Sequence, residues 1–122
     1  MSVVFQMGLP AAEQRLFVLM GAVAASEALN GLGVRASIKW PNDLVVAIRD
    51  EGGLKVRKLG GCIAQRVARP DGSAAHIVGL GVNVNQSAAE LPLNTALPAT
   101  SMSASAPTRC STIFPVLPCI DI

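Results

Sequence analysis

Ala36-Ser37-Ile38-Lys39-Trp40-Pro41-Asn42-Asp43-Leu44-Val45-Val46-Ala47-Ile48 is the stretch whose reading decides the fold. Up to Trp40 it alternates small or apolar residues with polar ones, the period of a strand. Pro41 lacks the N–H that a ladder needs and stops regular pairing. Asn42 and Asp43 fall where the backbone turns, a place that their short polar side chains favour. Leu44 to Ile48 then resumes as a strand. A second polar run, Arg57-Lys58-Leu59-Gly60-Gly61, opens the strand after it. A polar loop tethered between apolar strands would let Lys39, Lys58, Asn42 and Asp43 converge. That constellation suits an anionic ligand, because cations and amides can meet carboxylate or phosphate oxygens.

Outward from this centre the same reading applies. Ser2 to Met7 reads as a strand, broken by Gly8-Leu9-Pro10. Pro10 fits the first turn of a helix, where its missing N–H costs little. Glu13 is expected in that turn, at the positive end of the dipole. Leu16, Leu19, Met20, Val23 and Ala24 follow i, i+3, i+4 spacing to about Leu29 or Asn30. Phe17, Val18 and Ala22 add apolar surface on other faces, so the helix is expected to be long and largely buried. Gly31 and Gly33 end it. Beyond Ile48, Asp50-Glu51-Gly52-Gly53 signals a hairpin turn, Val56 to Ala68 a longer strand, Arg69-Pro70-Asp71-Gly72-Ser73 another turn, and Ala74 to Asn85 a further strand. Short turns imply antiparallel neighbours. The fold class is therefore α+β: a mixed, largely antiparallel sheet packed on one long buried helix.

Gly60-Gly61 and Gly79-Leu80-Gly81 lie inside strands, which glycine weakens unless something needs the space. A ligand approaching the backbone is one reading, and a bulge or twist point is the other. Gly79-Leu80-Gly81 is not a dinucleotide fingerprint, for it lacks the third glycine and runs on as strand through Val82-Asn83-Val84-Asn85. No P-loop pattern occurs, and a single histidine with no nucleophile elbow gives no Ser-His-Asp arrangement. On spacing alone Lys39 and Lys58 read as solvated strand residues, Trp40 as a packing residue, and Asn42-Asp43 as a turn bonding its own backbone.

The chain has 122 residues, enough for one domain with a modest core. With 51% hydrophobic and 15% charged residues the composition is globular rather than disordered. A formal charge of +2 is too small to argue for nucleic acid or an acidic membrane surface. Cys62, Cys110 and Cys119 form no C-x-x-C pair, and Cys62 reads as a small buried apolar residue. His76 alone leaves few ligands for zinc. Met1 to Phe5 has no basic segment of the kind that opens a signal peptide, and Leu16 to Ala25 is too short to span a bilayer. The expected location is cytoplasmic, with no membrane partner.

Lys39-Trp40-Pro41-Asn42-Asp43, Arg57-Lys58-Leu59-Gly60-Gly61-Cys62-Ile63 and Gly79-Leu80-Gly81-Val82-Asn83-Val84-Asn85 closely resemble three successive motifs of the biotin protein ligase catalytic domain, in order and in approximate spacing. The resemblance runs from about Ser2 to about Met102 and implies part of the biotin/lipoate ligase catalytic fold. It implies ATP-dependent activation of biotin to biotinyl-5′-adenylate, with Mg²⁺ as the accompanying ion. Transfer to a lysine on the carboxyl carrier domain of a biotin-dependent carboxylase would follow. Lys58 matches the family lysine at the reacting carboxylate and phosphate. Lys58, Gly60, Gly61, Gly79 and Gly81 match biotin-binding positions. Lys39, Trp40, Asn42, Asp43 and Asn83 match positions around ATP and the adenylate, with Asp43 as a candidate Mg²⁺ ligand.

The family's Gly-Arg-rich loop has no counterpart in Met1 to Gly8, and the small C-terminal barrel and any DNA-binding domain are expected to be absent. Residues 1–102 are therefore expected to form a partial catalytic domain. Residues 103–122, with Pro107, Pro115 and Pro118 and no glycine, are expected to be an irregular tail, as in a truncated or frame-shifted reading of a longer ligase. Open sheet edges make a homo-oligomer an expectation. A lipoate-type ligase and a non-catalytic fragment that binds a ligand or a partner are the alternatives.

Overall fold

The computed structural model describes residues 1–7, 13–87, 89–91 and 98–102. Within them lie five strands and one helix: β1 (Ser2–Phe5), α1 (Gln14–Gly31), β2 (Ala36–Lys39), β3 (Asp43–Asp50), β4 (Gly53–Ala68) and β5 (Ala74–Val82). The expected α+β class holds. The strands form one sheet in the order β1-β5-β4-β3-β2, with all four ladders antiparallel. Among the described residues its mixed character enters only at a parallel bridge between Lys58 and Ala99.

The turns follow their residues. Asp50 pairs with Gly53, so Glu51-Gly52 makes a two-residue hairpin that Gly53 closes at φ +102°. Positive φ is open to glycine without steric penalty. Between β4 and β5, Gly72 has φ +82° and the Asp71 carboxylate accepts bonds from both the Ser73 N–H and its hydroxyl.

The helix differs from expectation. Leu16, Met20 and Val23, on the stripe expected to face inward, are 50%, 60% and 45% exposed. The buried stripe is Phe17, Ala22, Ala25 and Leu29, rotated from it. The cause is at Gly21, where an added Cβ would lie 2.8 Å from Cys62 Sγ and 2.9 Å from Val78 Cγ1. At Gly21 the helix approaches the sheet too closely to admit a side chain, which keeps that face turned inward. A helix with apolar residues all round does not reveal its inner face by spacing alone. Glu13 stands just before the helix rather than within its first turn and makes no side-chain cap. The expectations for Pro10 and for an irregular tail at 103–122 lie outside the described residues.

Two clusters form the core between α1 and the sheet. Phe17, Ala22, Cys62 and Val78 make one. Ala25, Leu29, Val34, Ala36, Leu44, Val46, Leu59 and Met102 make the other. His76 is buried among them and stacks on Phe17 with ring centroids 4.6 Å apart. An apolar cavity of about 310 Å³ opens between α1 and the sheet, lined by residues such as Met1, Phe5, Met20 and Leu80.

Candidate functional site

Residues directly opposite in a ladder share a face. Leu44 and Val46 therefore take the helix side, and Asp43 and Val45 take the other. The register is broken once: Leu44 pairs with Gly60 but Val45 pairs with Lys58, leaving Leu59 as an extra residue. This is a β-bulge, which turns a side chain that regular pairing would leave elsewhere. Leu59 enters the core at 0% exposure, and Lys58 emerges on the helix-free face.

There Lys58 Nζ lies 2.6 Å from Asp43 Oδ1, and Lys39 Nζ lies 3.9 Å from Asp43 Oδ2. The two lysines and the aspartate expected to converge do so. Asp43 is the inner member, its side chain 21% exposed against 35% for Lys58 and 51% for Lys39. The cluster carries one net positive charge at an open surface, suited to anionic oxygen.

Gly61 faces Asp43 across the ladder, and Gly81 faces Gly61. A Cβ on Gly61 would meet Asp43 Oδ1 at 3.5 Å and Lys58 Cε at 3.8 Å. A Cβ on Gly79 would meet Ile63 at 3.2 Å, and one on Gly81 would meet nothing within 4 Å. Of these three, Gly81 faces open space, while the Asn42 carbonyl oxygen, 3.2 Å from a Cβ on Gly61, and the Ile63 side chain close in on the other two. Gly60 does something else, for a Cβ there would overlap the Gly81 carbonyl oxygen, so β5 already fills its space.

Trp40 and Pro41, joined by a cis peptide, stand on the turn between β2 and β3. Trp40 is 77% exposed, more than a packing residue would be. Asn42 anchors the turn. Its Nδ2 donates to the Cys62 carbonyl at 2.7 Å, and its own carbonyl accepts the Cys62 N–H at 2.9 Å. Asn83 Nδ2 donates to the Thr100 carbonyl at 3.1 Å. Each of these amide nitrogens gives one of its two hydrogens to backbone.

Sequence reasoning missed the bulge at Leu59 and the segment Pro98–Thr100. Lys58 N–H donates to the Pro98 carbonyl at 2.9 Å, and the Lys58 carbonyl accepts the Thr100 N–H at 2.8 Å. A proline-led segment so short carries no strand pattern to find it by. Cys62, behind the site, is fully buried, and burial pushes its thiol pKa up. Among the described residues no three His, Cys, Asp or Glu side chains gather as a metal site. Nor, among them, is any helix long and apolar enough to cross a membrane.

Comparison with known proteins agrees with the motif reading. The chain is 29% identical over 104 residues to the bifunctional ligase/repressor BirA of Bacillus spizizenii, an alignment covering 84% of this chain and 30% of that protein. It is 29% identical over 107 residues to the bifunctional ligase/repressor BirA of Bacillus subtilis, covering 87% of this chain and 30% of that protein. The chain thus spans less than a third of the length of these curated relatives. The model of the biotin/lipoate A/B protein ligase family matches residues 1–85, which include all three motifs, and the chain belongs to that family.

Proposed function

We propose that this chain carries the adenylating centre of a biotin protein ligase. It would activate biotin with ATP and pass the biotinyl group to a lysine of a carboxyl carrier domain, in the cytoplasm. The observation that supports the reading is the Lys58 ammonium, held by Asp43 at 2.6 Å beside glycine backbone on the helix-free face.

In the first step a biotin carboxylate oxygen attacks the α-phosphorus of ATP. The new P–O bond forms as the bond to the bridging oxygen of the β-phosphate breaks, and pyrophosphate leaves. Negative charge gathers on the oxygens around the α-phosphorus, and a fixed ammonium offsets it there. Lys58 takes that role, with Asp43 holding it in place before substrate arrives. In the second step the neutral amine of the acceptor lysine attacks the acyl carbon. An amide forms, AMP departs, and the amine's proton passes to solvent or to the departing phosphate. None of these site residues forms a covalent intermediate. Gly81 stands open for biotin to lie against its backbone, with Gly61 and Gly79 on the same face, while Lys39 and the open ring of Trp40 serve the nucleotide side.

Asp43 fits Mg²⁺ poorly, because an ammonium group already faces each of its oxygens. The ion supplies charge neutralisation on the nucleotide phosphates, where Mg²⁺ keeps most of its waters and needs few protein carboxylates.

Biotin-dependent release of pyrophosphate from ATP and Mg²⁺ tests this reading, with Lys58→Ala beside the parent chain. Release by the parent, falling about 100-fold or more in the variant, is the expected result, on the scale of one transition-state donor removed. A folded parent chain that releases none would overturn adenylation by this chain. Release with lipoate but not with biotin would reassign the substrate.

A further inference from the structure

We propose that Asn83 is a positioning residue for Lys58, acting through the segment Pro98–Thr100. The catalytic part of this inference rests on reading Lys58 as the adenylating lysine; the geometric part does not. β5 ends where Val82 pairs with Gly60, so β4 residues before Gly60 have no β5 neighbour. Pro98–Thr100 takes up that place at Lys58, accepting its N–H at 2.9 Å and donating to its carbonyl at 2.8 Å. The Lys58–Ala99 bridge between them is parallel.

Asn83 stands where β5 gives way to this segment and bonds to both sides of the junction. Its N–H donates to the Leu59 carbonyl at 2.8 Å, its carbonyl accepts the Met102 N–H at 3.0 Å, and its Nδ2 donates to the Thr100 carbonyl at 3.1 Å. The end of the segment that it grips runs inside the molecule: Thr100, Ser101 and Met102 are 5%, 0% and 1% exposed, while Pro98 is at the surface. A buried carbonyl deprived of its donor is costly, so the amide has a structural reason to stay where it is.

The consequence falls on Lys58 because Leu59 is the bulge residue. The bulge puts Lys58 opposite Val45 and beside Asp43. A one-residue slip in a strand exchanges its faces. Two hydrogen bonds to Pro98–Thr100 hold Lys58 against such a slip, and Asn83 fixes Thr100. An aspartate at position 83 would keep the shape but turn a carboxylate oxygen toward the Thr100 carbonyl.

The test compares Asn83→Ala and Asn83→Asp with the parent chain. The readouts are amide hydrogen exchange, the NMR signal of Lys58 Nζ, and the kcat and KM of pyrophosphate release. The expected result is exchange at Lys58 and Thr100 roughly threefold to tenfold faster in both variants, the scale of one hydrogen bond lost. The Lys58 Nζ signal shifts, amides of the β1–β5 ladder stay as protected as in the parent, and kcat falls with little change in KM. Unaltered Lys58 exchange and an unaltered Nζ signal would overturn the proposal. Faster exchange through every strand alike would also overturn it, leaving Asn83 a general stabiliser. A parent chain that releases no pyrophosphate would remove the ligase reading, while exchange and the Nζ signal would still decide whether Asn83 sets Lys58.

Discussion

Asp43 is the residue on which the two lysines depend. It faces Lys58 through one carboxylate oxygen and Lys39 through the other, and it is the least exposed of the three. An ion pair so open to water contributes less than about 1 kcal/mol to stability. Its worth lies in where it holds the ammonium. Asp43→Asn keeps the shape and removes the charge, so the expected outcome is a melting temperature close to the parent's with kcat for pyrophosphate release at least about tenfold lower, the order expected when a positioned charge loses its partner. Thermal melts and steady-state assays on the same preparation check it. A large loss of stability with unchanged turnover would contradict this division of labour. Lys39, Asp43 and Lys58 were legible from the order of strand and polar loop as a group able to converge, while spacing alone read the lysines as solvated strand residues. The bulge that aims Lys58 was not, because it depends on the register of β4 against β3 rather than on either sequence alone.

At the scale of elements the glycines divide by what occupies the space beside them. Strand glycine signals close approach without saying of what. Gly60 and Gly61 are adjacent in sequence and face different neighbours: the β5 backbone at Gly60, and the Asn42 carbonyl with Asp43 and Lys58 at Gly61. Gly60→Ala therefore forces backbone apart and is expected to destabilise the protein by about 1–3 kcal/mol, the range for overpacking. Gly81→Ala meets nothing, so its urea midpoint is expected to stay at or slightly above the parent's. If biotin lies on bare backbone there, the same Gly81→Ala variant binds it more weakly, which calorimetric titration reads directly. The strand order was equally divided in legibility. Turn residues at Glu51-Gly52 and at Arg69 to Ser73 revealed antiparallel neighbours, since each turn is a local matter of φ and hydrogen bonding. The inner face of α1 was not visible, because the near contact of Gly21 with Cys62 and Val78 is a property of two elements together.

For the whole molecule, opposite ends of the pH scale act on different parts of the fold. At the acid end, hydrogen bonds from Ser73 hold the Asp71 carboxyl below its usual range, and bonds from Ser87 do the same for Glu90. Carboxylates with lowered folded pKa values contribute stability present above their unfolded values, near 4, and lost as pH falls through the lowered values. Both sit on exposed turns, so this loss is small. At the alkaline end the Cys62 thiol has its pKa raised by burial above the ordinary value of 9.0. A raised folded value means that the folded state keeps its proton after the unfolded chain has released it. Stability is then fully present below about pH 9 and declines as pH rises toward the folded value. Cys62 packs in one core cluster with Phe17 and Ala22 of α1 and fills the space beside Gly21, so the alkaline loss belongs to the contact between helix and sheet. Cys62→Ala removes the titrating group. In a background with Cys110→Ser and Cys119→Ser, its urea midpoint is expected to start lower at pH 7, by about 1 kcal/mol for the atom lost from the core. It should then change less than the parent's between pH 8 and pH 10.5. Parallel pH curves for the two proteins would mean that the buried thiol does not govern the alkaline limb.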